Sequence, residues 1–385
     1  MRHFKYTLFA LLPVIAAATV AVPATSGAAT LPGMPAWSGT TPWWTKLPGL
    51  GQAGWSPPVN GAPQPPAPPA PPTGGGTPPP PGGETTTPGK GASFSGSYTS
   101  SAGTRAYRGY VPSSYKPGTP VPLVVVLHGC TQSADIIRQL SRFDQLAEAK
   151  HVITVFPEQP SSANKQSCWN FFQDAHTHRG SGEPALIAGI TEWVQQHYTI
   201  DPKRTYVAGL SAGGAMASVM GATYPDKYAA IGVGSGCEYA ATAACAGYKS
   251  ADPTKAAQAA FQAMGSYARP MPVIAFQGDK DTTVPPVNAD QLVQQWQMTA
   301  ALASPDHTQA VSNPSSTESG QVPGGRAYTV KHYDDAQGRQ LIEYWTVHGM
   351  THAWSGGCGC TQYADPQGPD ATAHMYAFLM SHPMP

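Results

Sequence analysis

Residues 206–216 read Tyr-Val-Ala-Gly-Leu-Ser-Ala-Gly-Gly-Ala-Met. An apolar run ends in Gly209-Leu210-Ser211-Ala212-Gly213, the one Gly-x-Ser-x-Gly in the chain, and small helix-compatible residues follow. This is the pattern of a strand that turns sharply into a helix with a serine at the tip. The glycines fit because such a turn is crowded, and a side chain at 209 or 213 would strike the neighbouring strand or helix. A Gly-rich turn with an incidental serine is the plainer alternative, but it leaves the switch from strand to helix unexplained.

The rest of the chain agrees with that local reading. Leu123–Leu127, Val152–Phe156, Thr205–Leu210, Ala229–Gly234, Pro272–Gln277 and Leu341–Val347 are short apolar runs of the kind found in buried parallel strands. Ala106–Val111 and Ala327–Tyr333 read as further strands. Helical spacing appears over Ser133–Lys150, Pro184–Tyr198, Ser211–Tyr224 and Ala371–Ser381. Alternation of strand and helix from residue 121 onward predicts an α/β fold, a mostly parallel sheet with helices on both faces. Ligands in such sheets sit at the carboxyl ends of the strands.

Ser211 is a weak nucleophile alone and needs a base, which in turn needs an orienting carboxylate. The expected chain order is serine, acid, histidine. The strand Val273–Gln277 runs into Gly278-Asp279-Lys280-Asp281, and Asp281 is the expected acid, with Asp279 as its rival and a turn cap as the rival's plainer role. Leu341–Val347 runs into His348-Gly349-Met350-Thr351-His352, and His352 is the expected base, with His348 as its rival. The oxyanion hole needs two backbone N–H groups. Ala212, after the serine, supplies one, and Cys130, in the loop His128-Gly129-Cys130-Thr131-Gln132, supplies the other. The course expected is acyl transfer, with no metal or organic cofactor.

Lys+Arg and Asp+Glu both number 22, so the net charge is zero and no basic face marks a nucleic-acid partner. Arg2, His3 and Lys5 precede an apolar run from Tyr6 to Val22, and Ser26-Gly27-Ala28 offers small residues for cleavage. Residues 1–28 therefore read as a secretory signal peptide, with a membrane anchor as the alternative that Pro13 and Pro23 oppose. Export to the medium or the periplasm follows, with no stable membrane insertion after cleavage. Residues 29–56 carry Trp37, Trp43, Trp44 and Trp55, either an aromatic patch for an apolar surface or a plain tail. Residues 57–91 are a Pro/Gly/Thr-rich linker. Residues 92–385 are the catalytic domain.

In an exported chain the six cysteines favour disulfides over a metal site. Cys130–Cys168 and Cys237–Cys245 are the expected pairs. Cys358 and Cys360 are left open, because a C-x-C bridge is geometrically awkward.

Taken together, Leu127-His128-Gly129-Cys130-Thr131-Gln132, Phe156-Pro157-Glu158-Gln159, Cys168-Trp169-Asn170, Gly209–Met216 and His352-Ala353-Trp354-Ser355-Gly356-Gly357 make the chain resemble a known family. It is similar, from about Tyr107 to Leu379, to the secreted poly(3-hydroxybutyrate) depolymerases and esterases of the α/β-hydrolase fold. The resemblance implies a triad of Ser211, Asp281 and His352, an oxyanion hole at Cys130 and Ala212, and polyesters of short 3-hydroxyacids as substrate. Trp169 and Trp354 are expected to line an apolar cleft for that substrate, a buried core position being the alternative for each. Many such depolymerases carry a substrate-binding domain after the catalytic one, whereas this sequence ends at Pro385. Either the Trp-rich segment compensates or soluble oligomers are the substrate. Two other functions compete: a carbohydrate esterase acting on feruloyl or acetyl groups, and a non-catalytic binding protein on a Pro-rich stalk.

Overall fold

The structure is a computed structural model that describes residues 91–242, 245, 252–304 and 312–385. The expected signal peptide, Trp-containing segment and all of the linker before Gly91 lie outside the described residues. The strands in chain order are Ala92–Ser100 (β1), Gly103–Val111 (β2), Val121–Leu127 (β3), Ile153–Pro157 (β4), Ile200–Leu210 (β5), Ile231–Gly234 (β6), Val273–Gly278 (β7), Ser316–Gln321 (β8), Ala327–Asp334 (β9), Gln340–Val347 (β10), Trp354–Ser355 (β11) and Ala364–Asp365 (β12). The α-helices are Ala134–Ser141 (α1), Phe143–Lys150 (α2), Gly182–His197 (α3), Ala212–Thr223 (α4), Pro253–Met264 (α5), Val287–Ala303 (α6) and Ala371–Ser381 (α7).

A ten-stranded sheet in the order β1-β2-β4-β3-β5-β6-β7-β10-β9-β8 organises the molecule. Its centre, β4-β3-β5-β6-β7-β10, is parallel, and antiparallel pairs finish both sides. The central strands are apolar on both faces because both faces are covered. Leu123, Val125 and Leu127 point into one core with side chains of α3, α4, α5 and α6. Val124 and Val126 point into the other, with α1, α2 and α7. This period of two along β3 is the pleat itself. The mostly parallel, doubly covered sheet expected from the sequence is what the chain forms.

Three features differ from the sequence reading. The single helix expected over Ser133–Lys150 breaks at Arg142, whose φ of 59° is left-handed. Such a residue costs roughly 1–2 kcal/mol, and the surroundings supply the offset. Arg142 Nη2 donates to the Gly356 carbonyl, and the Leu140 carbonyl accepts from the Cys358 N–H at 3.0 Å. The edge strands β1 and β8 carry mainly Ser, Thr and Gly and give no apolar run to read. Helices α5 and α6 were absent from the reading as well, though Asp252 caps α5 through the Thr254 and Lys255 N–H groups with Pro253 in the first turn.

Candidate active site

Ser211 lies between β5 and α4 with φ 58° and ψ −122°, outside the comfortable range for a side-chain-bearing residue. The turn is held by the Ser211 N–H donating to the Gly234 carbonyl (2.8 Å) and the Ala215 N–H donating to the Ser211 carbonyl (2.9 Å). A Cβ on Gly209 would strike the Gly213 carbonyl, and one on Gly213 would strike the Leu127 and His128 carbonyls. Both glycines are therefore required by packing, as the motif implied. The helix that follows is buried on every side.

The loop after β3 packs against the serine: a Cβ on Gly129 would lie 3.2 Å from Ser211 Cβ. His128 is fully buried and fixes this loop. Its Nε2 accepts from the Gln159 N–H (2.9 Å), so its proton is on Nδ1, which donates to the Gly129 carbonyl (2.8 Å). Burial pushes the imidazole down to about 4, so it stays neutral. In a trans peptide the C=O and the next N–H point oppositely. With the Gly129 carbonyl turned to His128, the Cys130 N–H is turned away from it. Neither the Cys130 nor the Ala212 N–H has a hydrogen-bond partner among the described residues. A bridge to Cys168 ties the same loop through its sulfur.

The acid and base loops leave the adjacent parallel strands β7 and β10, with Val347 opposite Gly278. Asp281 is buried, and its Oδ1 accepts from the Thr283 and Val284 N–H groups (both 2.9 Å). Its Oδ2 accepts from Gln277 Nε2 (3.2 Å) and lies 2.7 Å from His352 Nδ1. The two rivals meet each other instead. His348 Nδ1 is 3.1 Å from Asp279 Oδ2, and the Gly349 N–H donates to Asp279 Oδ1 (2.7 Å). Burial works against ionised Asp279, but the Gly349 amide and His348 outweigh it and hold its carboxyl below the usual range. The serine and histidine sides converge at Gly234: it accepts the Ser211 N–H, and a Cβ on it would lie 3.5 Å from the Trp354 ring. Ser211 Oγ and His352 Nε2 each lack a hydrogen-bond partner among the described residues, so the bond between them is not formed. Catalytic hydrogen bonds are often long before substrate binds.

The expected cleft tryptophans are a correction. Trp169 has no exposure and sits under the oxyanion loop, its ring 5.6 Å from His128. Trp354 is 1% exposed, packs edge-on to Phe143 and donates from Nε1 to Thr372 Oγ1 (2.9 Å). Neither has a face to offer a ligand, because each is enclosed in the core. The structure bridges Cys130–Cys168 and Cys237–Cys245, and also Cys358–Cys360, whose Cα atoms lie 5.2 Å apart across Gly359. Sequence reading gave no role of their own to His128, Gln159, Glu183 and Glu238. The last is buried after Cys237, its two carboxylate oxygens have no hydrogen-bond partner among the described residues, and burial pushes it up to about 7.

Residues 106–313 match the family described as esterase PHB depolymerase, a span that holds Cys130, Ser211, Ala212 and Asp281 but stops before His352. The chain is 34% identical over 251 residues to poly(3-hydroxyalkanoate) depolymerase C of Paucimonas lemoignei, covering 63% of this chain and 57% of that protein. It is 33% identical over 204 residues to a probable acetylxylan esterase A of Aspergillus flavus, covering 49% of this chain and 64% of that protein. The chain thus spans under two thirds of the length of these relatives. Among solved structures, the acetyl xylan esterase from Aspergillus awamori aligns with a TM-score of 0.56 at 23% identity, over 67% of this chain and 94% of that one, which supports the fold. With the sheet, its helical layers and the match over more than half its length, the chain belongs to the PHB depolymerase esterase family of the α/β-hydrolase fold.

Proposed function

We propose that this chain is an exported serine esterase that cleaves short-chain polyhydroxyalkanoate, or its oligomers, through an acyl-enzyme. The observation that carries the reading is the Asp281–His352 pair, with the carboxylate buried and the imidazole partly exposed; Nδ1 is used on the acid, and Nε2 has no hydrogen-bond partner among the described residues. Nε2 takes the Ser211 proton as Oγ adds to the ester carbonyl. The oxyanion forms at the Cys130 and Ala212 N–H groups, which have no acceptor among the described residues to give up first. Collapse expels the alcohol, which takes its proton from Nε2. Water then attacks the acyl group, losing a proton to the same nitrogen, and the acid leaves. Asp281 holds the tautomer and stabilises the imidazolium between steps.

The division into signal peptide (1–28), Trp-containing segment (29–56), linker (57–91) and catalytic domain (92–385) belongs to this proposal. Among the described residues no helix is long and apolar enough to cross a membrane.

A second reading, deacetylation of xylan, is favoured by the relatives and the solved structure named for that activity. Turbidity of a poly(3-hydroxybutyrate) suspension separates the two. Clearing by the wild type and not by Ser211→Ala is expected. Acetate release from acetylated xylan without clearing would reverse the order of the two readings. An active Ser211→Ala would end both.

A further inference from the structure

Glu183 is the second residue of α3, and its side chain is wholly buried. A lone carboxylate in that position would cost several kcal/mol, so its neighbours decide what it does. Oε1 accepts from Gln159 Nε2 (2.5 Å) and Asn170 Nδ2 (2.7 Å), and Oε2 accepts from the Asn170 N–H (2.7 Å). Arg105 Nη2, on a residue 8% exposed, lies 3.5 Å from Oε1. The helix N-terminus adds its positive end. His176 also approaches, with Nδ1 3.8 Å from Oε1, but that nitrogen accepts from the Glu183 N–H (3.1 Å). It therefore presents a lone pair and is no counter-ion.

The bonds from this carboxylate lead to the oxyanion loop by two routes. Gln159 takes Arg105 Nε on its Oε1 (2.8 Å) and gives its Nε2 to Glu183 and to the Cys168 carbonyl (3.0 Å). Its backbone N–H holds His128 Nε2, and His128 holds the Gly129 carbonyl. The second route runs through Asn170, two residues past Cys168, whose sulfur is bonded to Cys130. Both attachments of Cys130, its peptide and its sulfur, thus trace back to Glu183. A carboxylate suits the place because it accepts all three N–H groups and presents no donor in return. A glutamine there turns at least one N–H against another.

We propose that Glu183 is a positioning residue for ester hydrolysis: through Gln159 and His128 it fixes the Gly129–Cys130 peptide, and so aims the Cys130 N–H at the oxyanion. It touches no substrate. The inference rests on the Ser211, Asp281, His352 reading, and its test keeps the two apart.

Wild type, Glu183→Gln and the double variant Arg105→Met/Glu183→Gln are compared on p-nitrophenyl butyrate. Reactive serines are counted with a fluorophosphonate, and butylboronic acid serves as a tetrahedral analogue. Deleting an oxyanion donor costs about 100- to 1,000-fold in kcat, so misaiming one is expected to cost about 10- to 100-fold. That loss should appear per labelled serine, with KM within about twofold and boronate binding weakened by the same factor as kcat. The double variant covers the case in which Glu183→Gln fails to fold because Arg105 is left buried without a partner. A folded variant with wild-type kcat per serine and wild-type boronate affinity would overturn the proposal, as would a rise in KM at constant kcat. A wild type that neither takes the fluorophosphonate nor cleaves the ester would overturn the serine-esterase reading itself.

Discussion

Two Asp–His pairs stand side by side across the same two loops, Asp281–His352 and Asp279–His348. They share strand origins and residue types, and they differ in surroundings. The Asp281 side chain has no exposure and that of His352 has 11%, against 32% and 43% for Asp279 and His348. Asp281 is held by two backbone amides and by Gln277, so its lone pairs are aimed before the histidine arrives. Asp279 is held by one amide. The pairs differ again at the other imidazole nitrogen. His348 Nε2 lies 3.0 Å from Thr329 Oγ1, whereas His352 Nε2 has no partner among the described residues. A histidine used on both sides braces two loops, and a histidine used on one side can move a proton. The comparison teaches that a dyad is recognised by what it leaves free.

The largest expected effect is the clearest way to break this contrast. His352→Ala should lower kcat by about 10⁴- to 10⁶-fold, while His348→Ala should stay within about tenfold. The reverse order in an ester assay would exchange the two roles. Asp281→Asn comes next, at about 10⁴-fold through the wrong tautomer, against a few-fold at most for Asp279→Asn. Equal losses would show that the solvent-exposed pair also carries the reaction.

Glu238 sharpens the contrast from another side, being a buried carboxyl with no hydrogen-bond partner among the described residues where Asp281 has several. Its folded value of about 7 lies above the ordinary 4.5, so between those values the folded protein holds a proton that the unfolded chain has released. Its contribution to stability therefore falls as pH rises through that window and is flat above it. The total is up to about 3 kcal/mol at 1.36 kcal/mol per unit. His128, held neutral down to about 4 against an ordinary 6.5, gives the opposite slope at acid pH. The test is thus Glu238→Gln against wild type by urea unfolding at pH 4.5 and pH 8. The variant should gain relative to wild type at the higher pH, and a constant difference between the two would refute the buried, raised carboxyl. The smallest effect is expected at the exposed pair. Asp279→Asn should cost under about 1 kcal/mol at neutral pH, less at high salt. A larger loss would make the brace a principal support of both loops.

What could be read from sequence was what is local. Gly-Leu-Ser-Ala-Gly predicts its own turn because the crowding lies within five residues and the strand beneath them. Position past a strand end singles out Asp281 and His352 in the sequence, and the structure pairs them. The roles of Trp169 and Trp354 were not legible in this way, since a tryptophan beside a catalytic loop reads the same whether its ring faces the cleft or the core. Trp169 lies against His128 and Trp354 against Phe143, residues from distant segments of the chain. Glu183 looks like an ordinary acid in the first turn of a helix. Its partners at 105, 159 and 170 come from other segments, and no periodicity links them. The break at Arg142 depends on a carbonyl more than two hundred residues later.

The finish of the sheet has a consequence for how copies of the protein coexist. Its two outermost strands expose Ser93, Ser95, Ser97 and Thr99 on one side and Ser316, Thr317, Glu318, Ser319 and Gln321 on the other. An unpaired strand edge invites the edge of another molecule, and a greasy one invites it strongly. Here the outer edges have no strand partner among the described residues and are flanked by hydroxyls, an amide and a carboxylate, all exposed. Copies crowded together would meet along wet, polar margins, and their sheets would have little reason to join.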